Sequence, residues 1–225
     1  MIRKMIAIDW RAMKVYRMLL LLLPFLAFFL GWFTPWTLIP VFVFTCHNFS
    51  LNTFAVEEKG ALNNLYLTLP IKRRTIVKGR FFLSLIIVAC GMIMGIFLMP
   101  LANELSRVIL RSVWHAGTNG NIAILAFSFL LYSIFNIFTL PMLFKLGYTK
   151  GKFLGFHLPA ILFGMAFGAY FTITRLPGNE LLQLRLLSFA IENMLIICGG
   201  MVALGIVLLY LSYALSVRVY SKRDF

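Results

Sequence analysis

The chain has 225 residues, 61% of them hydrophobic and only 12% charged, with a mean hydropathy of +0.92. A water-soluble domain carries about twice that charged fraction, so a soluble globular protein is excluded. The net charge of +14 suggests nucleic acid, but the cations sit in short segments between long uncharged windows, which leaves a nucleic-acid reading little to explain.

The uncharged windows are 18–56, 81–103, 112–144, 153–174 and 193–217. A spanning helix needs about 20 apolar residues, so the first window holds two helices and each of the others one. The expected fold is an all-α integral membrane protein with six transmembrane helices, a single transmembrane domain over residues 1–225.

Residues 1–16 mix Arg3, Lys4, Arg11 and Lys14 with Met5, Ile6, Ile8, Trp10 and Met13. The pattern predicts an amphipathic interfacial helix, its cations on anionic lipid headgroups. The first span is expected at about 17–33. No small-residue cleavage site ends it, so it reads as an uncleaved span rather than a secretory signal. A tight outer turn, Gly31 to Trp36, leads into the second span at about 36–55.

The segment 57–80 is the one strongly polar island. Glu57, Glu58 and Lys59 come first, then an amphipathic stretch ending at Pro70, then Lys72, Arg73, Arg74, Lys78 and Arg80. Leu62, Leu65, Tyr66 and Leu69 follow the spacing of one apolar helix face. Carboxylates are favoured at a helix N-terminus and Pro stops a helix, so a short helix opened by the acidic pair and closed by Pro70 is expected. Such a helix under a membrane is well placed to be gripped from the cytoplasm.

The third span is expected at about 81–101, followed by an outer amphipathic helix from Leu101 to Trp114. The fourth is at about 121–141, ending at Pro141, and the inner loop Lys145 to Lys152 joins it to the fifth at about 153–173. Residues 175–190 are apolar yet charged, as in an outer re-entrant or interfacial helix. The sixth span, about 193–215, ends in a basic tail.

With the N-terminus inside, residues 1–17 carry five Lys/Arg, 57–80 carry six, 142–153 three and 214–225 three. Only Arg107, Arg111, Arg175 and Arg185 fall outside. That asymmetry satisfies the positive-inside rule and puts both termini in the cytoplasm.

Thr45, Asn48 and Asn52 recur on one face of the second span, and Ser128, Tyr132 and Asn136 on one face of the fourth. Lipid cannot satisfy such stripes, so they line a translocation path or hydrogen-bond between helices. The glycine pairs Gly91/Gly95 and Gly164/Gly168 let helices approach closely, within the chain or in a dimer. Cys46, Cys90 and Cys198 read as buried apolar thiols. His47 and His157 read as hydrogen-bonded structural histidines. No metal-hydrolase or acyl-transfer motif and no phosphate-cradling loop is present, so any ATP is bound by another polypeptide.

The run from Glu57 to Arg80, with Leu65-Tyr66-Leu67-Thr68-Leu69-Pro70-Ile71-Lys72-Arg73 at its centre, resembles the signature of small ABC-2 type transporter permeases of Gram-positive bacteria. Among these are the permease subunits of the phenol-soluble modulin exporter. The inner loop Phe144 to Tyr148 and the Asp9-Trp10 start also resemble the family, while Thr68 stands where the signature has Ser.

The resemblance implies an ABC-2 (type V exporter-like) topology in a bacterial cytoplasmic membrane. It also implies pairing with a second permease, identical or homologous, and with two separate ABC ATPase subunits that carry ATP and Mg. The coupling helix would present Glu57, Glu58, Lys59, Leu62, Leu65, Tyr66, Leu69 and Pro70 to the ATPase. Thr45, Asn48, Asn52, Ser128, Tyr132 and Asn136 would be path candidates for an amphipathic peptide substrate. This chain would hold no cofactor or metal and would not itself be an enzyme. The alternatives are a non-transporting partner of a peptide-sensing or resistance complex, and an intramembrane lipid- or peptide-processing enzyme. The enzyme would need acids or histidines clustered at one depth, where the sequence offers Glu192 and scattered histidines.

Overall fold

Long apolar sequence without interior water must satisfy its backbone within each segment, and every described element is accordingly helical. The computed structural model describes residues 2–16, 22, 25, 37–59, 73–110, 118–174, 185 and 188–222. Helix α1 is Ile2–Ala12, followed by a 3₁₀ turn, Met13–Tyr16. Then come α2 (Leu38–Ser50), α3 (Asn52–Lys59), α4 (Arg73–Leu110) and α5 (Thr118–Leu146). The short α6 (Tyr148–Lys152) runs through a π turn (Phe153–His157) into α7 (Leu158–Thr174), and α8 is Met194–Ser221.

Among the described residues, four stretches are long and apolar enough to cross a membrane: Leu38–Glu58, Arg73–Glu104, Gly120–Leu146 and Met194–Ser221. They coincide with the second, third, fourth and sixth expected spans. The expected fifth span falls on the π turn and the 17-residue α7. The expected first span lies outside the described residues except for Leu22 and Phe25, and the 175–190 segment lies mostly outside them.

The expected break at 101 does not occur. Helix α4 runs unbroken for 38 residues with Pro100 inside it, because basic residues before the apolar core and amphipathic ones after it continue the same helix at both ends.

The bundle is built around α4 and α5, with α2 against both, α1 across α4, and α8 along α5. Buried residues Cys198, Gly205, Leu209, Ser212, Ser216 and Tyr220 lie one or two helical turns apart, giving α8 a single packed face. Met5, Asp9 and Met13 form a comparable buried stripe on the N-terminal segment. Gly79 admits that stripe, since a Cβ there would lie 2.7 Å from Met5 Cγ.

Two local devices shape the chain. Between α2 and α3, the Ser50 hydroxyl donates to the His47 carbonyl at 2.7 Å and the Thr53 hydroxyl to the Ser50 carbonyl at 3.0 Å. Such back-bonding competes with helix propagation, and Leu51 forms a turn there. At the start of α7, Pro159 has no N–H for the carbonyl four residues earlier. The Gly155 carbonyl instead accepts the Thr139 hydroxyl of α5 at 2.9 Å.

Candidate functional site

The two ends of the polar 57–80 segment are fastened to each other. Glu57 lies in the last turn of α3 and Arg80 lies two turns into α4. The Arg80 Nη1 donates to Glu57 Oε2, and Arg80 Nε lies 3.8 Å from Asp9 Oδ2 on α1. The three side chains are only 1%, 7% and 3% exposed. The guanidinium also lies over the Phe54 ring at 4.5 Å and 5.8 Å from that of Phe144 on α5. Arginine suits this seat because its planar, weakly hydrated cation pairs and stacks at once. Removing one partner of a buried pair strands the other charge and costs about 3–5 kcal/mol.

Glu58, one residue on, makes a second fastening. Its Oε2 accepts the backbone N–H groups of Tyr148 (2.5 Å) and Thr149 (3.1 Å), and its Oε1 accepts the Thr149 hydroxyl at 2.6 Å. Those amides open α6, so a carboxylate from another helix caps this N-terminus and meets its partial positive charge. Gly147 makes the turn possible. Its φ is 81°, and a Cβ there would come within 3.1 Å of Glu58 Oε2. Between α3 and this inner loop lies a half-open cavity of about 460 Å³, floored by Phe54 and Phe144 and rimmed by Glu57, Glu58 and Tyr148.

These contacts correct the expectation that the acidic pair opens a helix. Glu57 and Glu58 occupy the last turn of α3, where the dipole disfavours carboxylates. Arg80 and the α6 amides offset that cost. Lys59 ends the same helix. Leu62, Leu65, Tyr66, Leu69 and Pro70 lie outside the described residues.

The polar stripes are drawn into the bundle. Tyr132 OH lies 3.2 Å from Ser84 Oγ, which is 3.0 Å from Ser50 Oγ, and Asn136 Nδ2 donates to Tyr132 OH at 2.9 Å. Ser212 on α8 donates to the Asn136 carbonyl at 2.9 Å. One buried chain of polar groups therefore links α2, α4, α5 and α8. Ser128 bonds back to Ile124 and is fully buried. On the second stripe Thr45 bonds back to Val41 and Phe42, Asn52 accepts the Tyr148 hydroxyl at 3.4 Å, and Asn48 is half-buried. Ser50, Ser84 and Ser212 escaped the sequence reading, since single serines in apolar runs carry no periodicity.

Two smaller expectations are also corrected. His47 is buried against Tyr132 (5.2 Å between ring centroids) and Phe156, and neither ring nitrogen has a hydrogen-bond partner among the described residues. His157 is exposed, its ring edge-on to Phe156. Cys46 and Cys198 are buried, but Cys90 is exposed, facing outward from α4 where apolar surroundings make burial in protein unnecessary.

The family model described as "ABC-2 family transporter protein" matches residues 1–221, and the chain belongs to that family. No curated protein and no solved structure matches the chain. Membership makes it a multi-pass membrane subunit of an ABC transporter, without an ATPase site of its own and working with ABC ATPase partners.

Proposed function

We propose that this ABC-2 family chain is a permease of an exporter in a bacterial cytoplasmic membrane. Two such subunits, identical or homologous, enclose a path for amphipathic or hydrophobic peptides. Separate ATPases, holding ATP and Mg, dock on the 57–70 segment.

The observation that carries this reading is the neck formed by Glu57, Arg80 and Asp9 together with the Glu58 cap on α6. Ties at Glu57, Glu58 and Arg80 join both ends of this segment to the helices of the bundle. A push on residues 60–72 reaches α1, α3 and α4 through the ion pairs, and α6 and α7 through Glu58. Motion of whole helices is the output an exporter needs, because interfaces switch between discrete packings rather than deforming continuously. The half-open cavity beside Glu57 and Tyr148 gives an ATPase a concave surface at the same level. The buried polar chain through Tyr132 and Asn136 keeps α2, α4, α5 and α8 moving as a block, so the path forms at the surface of that block, against the second permease.

The test is Leu65→Asp, which leaves the neck untouched. Affinity-purified chain from its native membrane should bring Mg-dependent ATP hydrolysis into the eluate, and the variant should reduce it roughly 30-fold, as loss of an interface hot spot does. An unchanged rate with unchanged thermal stability would place the docking site elsewhere. Charge reversal at Glu57 is unsuitable, because it strands Arg80 and reports folding instead.

A further inference from the structure

We propose that the groove between α4 and α8 is a binding site for one anionic membrane phospholipid, its phosphate held at Lys78 and one acyl chain lying between the helices.

The groove follows from how the two helices run. They are antiparallel and in register. Arg73 Nη1 donates to the Ser221 carbonyl at 3.0 Å, and eight residues further along each helix the Phe81 and Tyr213 rings meet edge to face at 5.8 Å. Beyond that ring pair the helices leave a furrow of about 480 Å³ walled by Phe82 and Leu85 on one side and Ile206 and Tyr210 on the other, with Lys78 at its end. Phe82, Ile206 and Tyr210 are about half or more exposed, so the furrow opens toward hydrocarbon. A volume of this size lies within the range of ligand clefts.

Charge decides the occupant. Arg74 and Lys78 stand one turn apart on α4, while Arg218 and Lys222 lie at the matching end of α8, and all four are exposed. Among the described residues none of the four makes an ion pair. Among the described residues the acids at this end are committed elsewhere, Asp9 and Glu57 to Arg80 and Glu58 to the α6 amides. Glu104 pairs with Arg107 near the other end of α4. A neutral lipid would fill the furrow and leave the cations unanswered. A second copy packed here about a two-fold axis would bring its own four cations to the same place. An anionic headgroup with its chain in the furrow satisfies both features, and basic pockets between spanning helices at a charged interface favour such headgroups.

The experiment is native mass spectrometry of the purified chain in neutral detergent, titrated with phosphatidylglycerol or with phosphatidylcholine of identical chains. One phosphatidylglycerol per chain should be retained in preference to phosphatidylcholine. Lys78→Gln should weaken that retention about fivefold, and Arg74→Gln with Lys78→Gln about 25-fold, from the usual contribution of a basic residue near an anionic headgroup. Leu85→Trp, which fills the furrow, should reduce retention while leaving thermal stability within the range of the glutamine variants. Equal retention of the two lipids, or a preference unchanged in the double variant, overturns the site. So does a dimer that Tyr210→Ala converts to monomer without changing the lipid count, which would assign the furrow to a second copy.

Discussion

The pairs Gly91/Gly95 and Gly164/Gly168 share one four-residue spacing, and the described chain fills only one of these two faces. At Gly91 a Cβ would stand 2.6 Å from Cys46 Sγ and 3.3 Å from the Phe42 carbonyl, and at Gly95 it would stand 3.1–3.2 Å from Ile39. The pair is the seam where α2 meets α4. At Gly164 and Gly168 on α7 nothing lies within 4 Å, although the motif is equally good. A spacing permits close approach but does not supply the helix that approaches. The contrast extends to whole spans. Leu38–Glu58, the least apolar of the four, is 61% buried inside the protein, whereas Met194–Ser221, among the most apolar, is 17% buried. Lipid accepts Leu and Ile as readily as a protein core does, so polar content rather than apolar content drives a helix inward here.

The largest blow to the packed region should come from Arg80→Met. It strands Glu57 and Asp9 and should cost about 3–5 kcal/mol, read as a collapse of thermal stability in detergent. Replacing all three residues with apolar ones of similar volume should recover most of the loss. If Arg80→Met alone is neutral, the neck is not a structural clamp. Next come the glycines, where opposite signs are expected. Gly91→Ala should destabilise by about 1–3 kcal/mol through overpacking. Gly168→Ala should be neutral or stabilise by up to about 1 kcal/mol by restricting the unfolded chain. Equal effects would erase the contrast between the two faces, while a stable Gly168→Ala chain that no longer assembles with a second permease would show what covers α7. The smallest change should be Thr139→Val, which leaves the Gly155 carbonyl without its donor. Interhelical hydrogen bonds in membranes are worth about 0.6 kcal/mol on average, so a shift of that size in unfolding free energy is expected.

The helices were legible in the sequence where a single physical requirement governs them. Uncharged runs near 20 residues located α2, α4, α5 and α8, because the hydrocarbon thickness sets one length for all. Their ends were less legible. Charge interrupts an apolar window but does not stop a helix, so Arg73–Leu110 continues past both expected limits. The site was legible only as a place. Composition singled out 57–80, but the partners of its acids lie 23 residues away at Arg80 and about 90 away at Tyr148 and Thr149. Nothing in local spacing encodes such pairings, so carboxylates that looked as if they awaited another protein prove to be engaged within this one. The Gly151/Gly155 pair was missed for a similar reason. Its fit against Leu143 and Thr139, with would-be Cβ distances of 2.8 Å, depends on how the Gly147 turn aims the chain.

The ion pair between Glu57 and Arg80 separates two jobs that a loop usually mixes. One job, holding α1, α3, α4 and α6 together, is done at the posts by Glu57, Glu58, Arg80 and Asp9; the other, joining α3 to α4 along the chain, falls to residues 60–72. An exchange confined to residues 60–72 would therefore leave all of those ties in place.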